Sequence, residues 1–350
     1  MTRSRGQVQP SYARHETGPG DAGRTAFADD VAYYLTQTPR QLPSRYLYDE
    51  LGSSLFESIC RLPWYRVAKT EQSLLMTRAD AIFSRLPPIS TVVELGPGSG
   101  EKLVTLMAAA PGRDVTIHLV DVSPAALDAA ATALAAQSSL TVVAHQATYE
   151  EGLSAVGRPG GAAGQTLVVF LGSNIGNFDP PGTDALLRTV RTALGPGGAL
   201  LLGTDLVKPE PELLLAYDDP LGVTAAFNLN LLVRVNRELD ADFDLGRFAH
   251  RAVWNAAASR VEMHLVSRSR QRVRVRRSGL DLTLDAGEPI WTESSYKYRI
   301  DDLAPMLGRA GFHVTGQWQE DGFALTLAEA GQDRFHNRRT AAEFGRENGF

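Results

Sequence analysis

A glycine-rich turn is the part of this 350-residue sequence whose residue types and spacing point most directly to chemistry. The segment ELGPGSGEK (Glu94–Lys102) follows an apolar, β-branched run that predicts a strand. Glycines allow a tight strand-to-helix turn and let a ligand come close to the backbone. A loop that needs glycines only for its shape would look the same locally. The strand, the helix after it and a later acidic residue together favour a cofactor site.

The acidic residues around the turn indicate which cofactor it would hold. A dinucleotide site prefers G-x-G-x-x-G, because the pyrophosphate sits on the helix N-terminus. Counting from Gly96, the third glycine position is occupied by Glu101. Glu94 is also unsuited to an anionic ligand, but it suits the ammonium and sulfonium groups of S-adenosylmethionine. Asp121 ends the next predicted strand, where a carboxylate can accept two hydrogen bonds from ribose hydroxyls. The turn therefore favours S-adenosylmethionine over a nicotinamide dinucleotide.

Alternating strands and helices must position this turn. Apolar runs predict strands over residues 91–96, 116–122, 141–146, 166–172 and 199–205. Helices are predicted over 101–110, 124–137 and 183–194. This rhythm is typical of a doubly wound parallel sheet. It breaks at about 206–299, where helical stretches (213–216 and 223–239) precede alternating strands. A helix in DDLAPMLGRAGF and a closing hairpin (313–318 and 323–329) then follow.

The break in the rhythm predicts two domains. A nucleotide-type domain would comprise residues 61–205 and 300–330, and a smaller second domain residues 25–60 and 206–299. Residues 1–24 are expected to be a disordered arm and residues 331–350 a polar tail. Arginines from Arg268 to Arg276 alternate strictly, which predicts one solvated face of a strand rather than a nucleic-acid patch.

Composition excludes several classes of protein. The chain is 43% hydrophobic and 21% charged, which indicates a globular protein, and its net charge of −5 argues against a general nucleic-acid binder. The single cysteine, Cys60, excludes an intrachain disulfide framework and a cysteine-based zinc site. We find no membrane-length apolar run and no secretory signal. We therefore expect a soluble, cytoplasmic, monomeric protein without a metal, a membrane or a nucleic-acid partner.

Motifs outside the turn identify a family. In chain order they are YDELGSSLFE, RLPWY, ELGPGSGEK, FLGSNIGN, LLGTDLVK, AYDDPLGVTAAFNLN and TESSYKY. In this combination, order and spacing, the chain resembles the histidine Nα-methyltransferase family of ergothioneine biosynthesis over residues 42–328. The resemblance implies an α/β fold, with a class I methyltransferase domain and a smaller α+β substrate-binding domain. It also implies transfer of three methyl groups from S-adenosylmethionine to the α-amino group of L-histidine, giving hercynine.

The resemblance further implies roles for individual residues. Tyr65, Asn177 and Tyr217 would hold the amino and carboxylate groups of the substrate, with Tyr48 near the amine. Glu293 and Ser295 would hold the imidazole, and Met263 would line its pocket. The residues implied at the cofactor are Glu94, Gly96, Gly98, Lys102, Asp121, Thr148 and Tyr149. Thr148-Tyr149 stands where many family members have an acidic residue before an aromatic one, so either residue would contact adenine. Asn174 replaces the threonine that is common in FLGSTIGN.

The chemistry of these residues fits the implied roles. Asn177 can donate to a carboxylate and accept from an amine, and a carboxylate with a nearby hydroxyl can select an imidazole over a phenyl or an indole. Each role also has a structural alternative. Glu293 could simply pair with Lys297 if this stretch were helical, and Tyr217 and Met263 could be core residues.

Methyl transfer needs a neutral amine in line with the breaking bond. The motifs contain no obvious catalytic histidine or lysine, so we expect Tyr48, Tyr65 or water to take the proton. The aromatic faces of Tyr48, Phe56 and Tyr65 could stabilise the product's fixed positive charge by cation–π contacts.

Three alternatives stay open at this point. One is an N-methyltransferase of the same family that acts on another aromatic amino acid, such as tryptophan or a derivative. The others are a nicotinamide oxidoreductase and a non-catalytic regulator that binds S-adenosylmethionine. Only four of the 35 basic residues are lysines. All four (Lys69, Lys102, Lys208 and Lys297) fall in segments that carry the resemblance, which predicts positions where a compact ammonium group is required.

Overall fold

The computed structural model describes residues 13–16, 21–110, 115–135, 140–157 and 165–331. Most of the predicted arm and nearly all of the predicted tail lie outside these residues. The strands in chain order are β1 (Ala13–Glu16), β2 (Arg40–Gln41), β3 (Ile89–Leu95), β4 (Val115–Asp121), β5 (Leu140–Gln146), β6 (Gln165–Phe170), β7 (Ala199–Asp205), β8 (Phe248–Asn255), β9 (Arg260–Ser267), β10 (Gln271–Val275), β11 (Leu280–Leu284), β12 (Pro289–Tyr296), β13 (Phe312–Glu320) and β14 (Phe323–Ala330).

The helices connect these strands. In chain order they are α1 (Asp21–Leu35), α2 (Glu50–Arg61), α3 (Arg66–Phe83), α4 (Glu101–Met107), α5 (Pro124–Leu134), α6 (Tyr149–Val156), α7 (Pro180–Leu194), α8 (Glu210–Tyr217), α9 (Val223–Leu239) and α10 (Ile300–Arg309). Short 3₁₀ helices cover Ser44–Leu47, Asn174–Asn177, Leu245–Arg247 and Arg276–Ser278. No helix of the described part of the chain is long and apolar enough to cross a membrane.

The larger sheet has the strand order β1-β5-β4-β3-β6-β7-β14-β13. Pairing is parallel from β1 to β7, whereas β14 runs antiparallel to both of its neighbours. All seven residues of β7 are buried, as expected for a strand covered on both faces. The predicted doubly wound sheet with a closing hairpin is confirmed, and its five predicted βα strands shift by at most two residues.

A smaller sheet forms beside the first, in the order β2-β12-β9-β8, and β10 pairs with β11 in a separate ribbon. The strands of the smaller sheet and of the ribbon come from residues 25–60 and 206–299. The division of the chain into domains at these boundaries stays a prediction. In β10 the valines are buried while Arg272 and Arg274 are exposed. Arg272 and Arg274 thus form the predicted solvated strand face, and Arg272 donates to Asp281 of β11 at 2.6 Å. Arg268, Arg270 and Arg276 lie outside this strand, so the prediction holds for only part of the run.

Helix α3 and strand β8 had not been predicted from the sequence. The buried face of α3 includes the polar residues Thr70 and Glu71 beside Leu74 and Leu75, which weakens its apolar periodicity. Strand β8 is mostly half-buried and lacks the alternation that marks a strand with one solvated face. Tertiary packing, rather than a local pattern, defines both elements.

Candidate active site

One pocket lies where the carboxyl-terminal edge of the larger sheet meets the smaller sheet. Open α/β sheets bind ligands at this edge. The residues that line the pocket are Tyr48, Phe56, Ile59, Tyr65, Val67, Gly172, Ser173, Asn174, Asn177, Ala216, Tyr217, Thr224, Phe227, Met263, Glu293 and Ser295. All the residues predicted to face the substrate are among them. The structure therefore brings together side chains from β9, β12, α8, the 3₁₀ helix after β6, and the residues just before α2 and α3. Their contact with a substrate stays a prediction.

Strand β12 presents Glu293 and Ser295 to the pocket because its register is irregular. The pairing with β9 shifts between Trp291 and Glu293, so that Thr292 and Glu293 are both buried and alternation resumes from Glu293. Glu293 lies opposite Met263 of β9. The helical pairing of Glu293 with Lys297, considered as an alternative, is wrong because this segment is a strand.

Burial changes the acidity of the pocket. Desolvation raises the pKa of the Glu293 carboxyl to about 7, although the positive charge of Lys297 acts against this rise. Burial also raises the pKa values of the Tyr48 and Tyr65 hydroxyls well above their ordinary value, and the carboxyl of Glu293 adds to the rise at Tyr48. Both phenols are therefore neutral near pH 7, while Glu293 can exist in either protonation state there.

Lys297 contacts two residues that line the pocket, and the resemblance implied no binding role for it. Its ammonium group donates to the Tyr217 hydroxyl at 2.7 Å and to the Ser295 hydroxyl at 2.8 Å, and it lies 3.0 Å from the Asp205 carboxylate. The Tyr217 and Ser295 hydroxyls are themselves 2.8 Å apart. The scarcity of lysine was the one sequence signal that could have identified this position.

An aromatic wall forms one side of the pocket. Phe56 contacts Tyr48, Tyr65 and Phe227, with ring centroids 5.6, 6.2 and 5.9 Å away. Tyr65 also lies edge-on to Tyr217 at 6.2 Å. Phe227 lies on α9 and belongs to the same motif as Tyr217, AYDDPLGVTAAFNLN, but the resemblance implied no role for it. The wall offers π-faces to a cationic group in the pocket.

Asn177 ends the 3₁₀ helix that follows β6. Ser173, just before this helix, has a left-handed backbone (φ 57°), and its hydroxyl accepts from the Asp205 amide at 2.9 Å. A Cβ atom on Gly176 would lie 2.8 Å from the Tyr296 carbonyl oxygen, so the helix packs directly on β12. These contacts hold Asn177 at the junction of the two sheets.

The glycine turn has the conformation that its composition predicts. Gly96, Gly98 and Gly100 all have positive φ (70°, 54° and 77°). A Cβ on Gly96 would lie 2.6 Å from the Asn174 amide nitrogen and 2.8 Å from the Tyr149 hydroxyl, whereas above Gly98 the nearest atom is a Glu57 oxygen at 3.7 Å. Asn174, a departure from the family pattern, thus lies between the turn and the substrate-side pocket.

Three charged residues, Glu71, Glu94 and Lys102, lie in or next to the glycine turn. Lys102 donates to Glu71 at 2.5 Å, and Glu71, whose side chain is fully buried, also accepts from the Gly172 amide at 2.8 Å. Glu94 is buried as well, and its Oε2 atom has no hydrogen-bond partner in the described residues. Burial raises the pKa of Glu94 well above its ordinary value. A buried carboxylate oxygen without a partner suits a cationic ligand group, as the sequence predicted.

The remaining predicted cofactor residues lie along the same edge. Asp121 accepts from the Ser123 amide at 2.8 Å, and burial raises its pKa to about 6. The Thr148 hydroxyl takes part in a capping box with Glu151 at the start of α6, so it is already engaged. Tyr149 instead places its hydroxyl over Gly96. Contact of these residues with the cofactor stays a prediction, and the geometry favours Tyr149 over Thr148.

Comparison with known proteins gives a consistent result. Residues 27–330 match the family described as "Histidine-specific methyltransferase, SAM-dependent". Histidine N-alpha-methyltransferase of Mycobacterium tuberculosis is 42% identical, and the match covers 88% of this chain and 96% of that protein. Ergothioneine biosynthesis protein 1 of Neurospora crassa is 27% identical over 73% of this chain and 31% of that protein. The 4-dimethylallyltryptophan N-methyltransferase of Penicillium roqueforti is 24% identical, and the match covers 84% of this chain and 90% of that protein. Identity is therefore higher to the enzyme named for histidine.

Proposed function

Since the chain belongs to the family of histidine-specific, S-adenosylmethionine-dependent methyltransferases, we propose that it methylates the α-amino nitrogen of L-histidine, three times in succession, to give hercynine for ergothioneine biosynthesis. The observation that carries the proposal is the composition of one pocket. A carboxyl and a hydroxyl (Glu293 and Ser295) lie in the same pocket as amide and phenol groups (Asn177, Tyr65 and Tyr217). The first pair matches an imidazole, and the second set matches an amino acid's charged end.

The residues of the turn fit S-adenosylmethionine. When bound, this cofactor supplies an electrophilic methyl carbon on a sulfonium centre. The unpartnered Glu94 oxygen matches the ammonium group of such a ligand, and the open space above Gly98 lets it approach the backbone. The Asp121 carboxyl can accept hydrogen bonds from ribose hydroxyls. The buried Glu94 carboxyl would repel the pyrophosphate of a dinucleotide, which weakens the oxidoreductase alternative.

The pocket residues orient the substrate amine. Its lone pair must lie about 3 Å from the methyl carbon and on the axis of the breaking bond. Asn177 and the neutral phenols of Tyr48 and Tyr65 can accept hydrogen bonds from the amine and thereby fix its direction. Their raised pKa values exclude an ionised phenolate as the base near pH 7. We propose that these tyrosines hold the free amine and pass its proton to water.

The aromatic wall accommodates the product. Methylation beyond the second step gives a permanently cationic nitrogen that can no longer donate a hydrogen bond. Phe56 and Phe227 offer only π-faces, and Tyr48 and Tyr65 add theirs, so the wall stabilises this cation without requiring a donor. This supports trimethylation rather than arrest after the first transfer.

The test is a product analysis. The purified protein is incubated with S-adenosylmethionine and the proteinogenic amino acids separately, and products are followed by mass spectrometry over time. We expect mono-, di- and trimethylated histidine to appear in order, with other amino acids unchanged. Unmodified histidine would overturn the proposal. Methylated tryptophan in its place would support the alternative, which the Glu293–Ser295 pair disfavours because indole has one donor for the carboxylate and no acceptor for the Ser295 hydroxyl. The cytoplasmic location and the monomeric state stay predictions from the sequence.

A further inference from the structure

Lys297 has a completely buried ammonium group whose hydrogen-bonding capacity is fully used. Its three N–H donors match three oxygen atoms within 3.0 Å, on Asp205, Tyr217 and Ser295. Its side chain is 0% exposed and that of Asp205 is 1% exposed. An ammonium group has no acceptor capacity, so each of its partners must be an acceptor in the contact. Lys297 therefore fixes the direction of the hydrogen bonds around it.

This direction determines what the two hydroxyls offer to a ligand. Tyr217 and Ser295 each accept from Lys297, and one of them donates to the other across 2.8 Å. The pair has two hydroxyl protons, and this mutual contact uses only one of them. Whichever way the mutual bond runs, one proton remains for a ligand acceptor. Since both residues line the pocket, the pair faces a ligand as a donor and not as a base.

The position of Lys297 connects the two ends of the pocket. Tyr217 belongs to the set that matches the carboxylate and amine of an amino acid, and Ser295 belongs to the pair that matches its ring. A single ammonium group holds one residue from each set. Asp205, at the end of β7, holds that ammonium against the larger sheet, which also carries the glycine turn. The positions of the Tyr217 and Ser295 hydroxyls are therefore fixed relative to that turn.

We propose that Lys297 is a positioning residue that holds the Tyr217 and Ser295 hydroxyls as hydrogen-bond donors towards the amino-acid substrate. This inference rests on the proposed function, in that it needs an amino acid in this pocket. Lys297 does not itself line the pocket. It acts through the two hydroxyls, and it also keeps a positive charge near Glu293.

Lys208 provides a matched control. Its ammonium pairs with the other carboxylate oxygen of Asp205 and lies 3.4 Å from the Gly322 carbonyl oxygen. It contacts the same buried acid as Lys297 but neither hydroxyl. If replacing Lys297 affected KM only by disturbing Asp205, replacing Lys208 should have the same effect on KM. If Lys297 acts by holding the two hydroxyls, replacing Lys208 should not affect KM.

The charge of Lys297 gives a second readout, because it opposes the rise in the pKa of Glu293. The ionisable groups of the pocket that face Glu293 are Tyr48, before α2, Tyr65, before α3, and Tyr217, on α8; all three have raised pKa values and stay neutral. From β9 the neighbour is Met263, and the alternation of that strand turns Glu262 and His264 to its opposite face. Loss of the ammonium should therefore raise the pKa of Glu293 further.

The experiment compares Lys297→Met with Lys208→Met and wild type. KM for histidine and kcat are measured from about pH 6 to pH 9, and the Kd for S-adenosylhomocysteine is measured by calorimetry. For Lys297→Met we expect a rise in KM of about tenfold or more, the effect of losing charge-assisted hydrogen bonding. We also expect a smaller change in kcat, an unchanged Kd for the cofactor product, and an acidic limb of kcat/KM moved to higher pH. The substrate's own groups titrate equally for every variant, so a shift of the acidic limb between variants reflects the titration of a group on the enzyme. Lys208→Met should show neither change.

Two outcomes would overturn the proposal. One is a Lys297→Met enzyme with wild-type KM and pH profile, and the other is an equal effect in Lys208→Met. If Lys297→Met fails to bind S-adenosylhomocysteine, Lys297→Gln replaces it, because the glutamine amide can still donate to Asp205 while the charge is lost. In a Tyr217→Phe/Ser295→Ala background the further loss of Lys297 should leave KM nearly unchanged. A wild-type protein inactive on histidine overturns the proposed function instead, and the same variants are then compared on the amino acid that it does methylate.

Discussion

Replacing Glu293 by glutamine should make the unliganded protein more stable near pH 8 and a worse enzyme at the same time. The carboxyl of Glu293 is buried, and its pKa is raised from 4.5 to about 7. In the unfolded chain the same carboxyl keeps its ordinary pKa. Between these two values the folded chain holds a proton that the unfolded chain has released, so wild-type stability falls as the pH rises through this window. Glutamine is neutral at every pH in this window, so the variant does not lose stability there.

The size of the effect follows from the two pKa values. One pKa unit corresponds to about 1.4 kcal/mol, so ionised Glu293 destabilises the fold by about 3 kcal/mol above pH 7. The stability gain from Glu293→Gln should be less than about 1 kcal/mol near pH 5 and about 3 kcal/mol near pH 8. Any constant difference in packing between the two side chains cancels when the two conditions are compared. Loss of the carboxylate acceptor should also raise KM for histidine by about tenfold or more.

Urea denaturation at the two pH values measures the gain, and steady-state kinetics measures the loss. Glu262→Gln is the matched control on β9. Glu262 accepts from Asn255 and Arg260, and its hydrogen bonds lower its pKa. It is ionised in both folded and unfolded chains between about pH 5 and pH 8, so its replacement should destabilise by the same amount at both. A Glu293→Gln protein whose stability difference from wild type is independent of pH would refute the assignment of a raised pKa to Glu293.

Three further predictions concern the turn and the tyrosines. Gly96→Ala should abolish binding of S-adenosylhomocysteine in calorimetric titrations, because Gly96 has φ 70° and its Cβ would enter the site; Gly195→Ala, with φ 66° and open surroundings, should cost only about 1 kcal/mol of strain and leave binding intact. Lys102→Met should lower the free energy of unfolding in urea by about 3 kcal/mol, since it leaves the Glu71 carboxylate buried without its ion pair. Tyr65→Phe should slow all methyl transfers without changing cofactor affinity, and unchanged time courses for every methylated product would contradict an amine-holding role for its hydroxyl.

Local sequence patterns were sufficient for the larger sheet. Its βα strands are continuous apolar runs, because strands covered on both faces must be apolar at every position. The glycine turn was equally readable, since Gly96 and Gly100 have positive φ and no room for a side chain. The residues of the pocket needed the family resemblance. Asn177, Tyr217 and Glu293 are far apart in the chain, and each had a structural alternative that their residue types could not exclude.

Elements without a local pattern could not be predicted. Helix α3 buries a polar stripe that includes Glu71, whose partners lie 31 and 101 residues away. The irregular register of β12 depends on its partner β9, and it is this irregularity that turns Glu293 and Ser295 into the pocket. Interactions over such sequence separations leave no periodic signal in a short window.

The lysines show which properties of this protein the sequence determined and which the tertiary structure determined. The sequence alone established that a compact ammonium was kept at Lys102, Lys208 and Lys297 in an arginine-rich chain, together with the parallel sheet, the cofactor turn and the class of chemistry. Tertiary structure alone decided what these ammonium groups contact: Glu71 for the first and the two sides of Asp205 for the others. The physical reason is that residue type and spacing specify local conformation and capacity for hydrogen bonding. The partner that satisfies a buried charge is chosen only when distant segments pack together and exclude water.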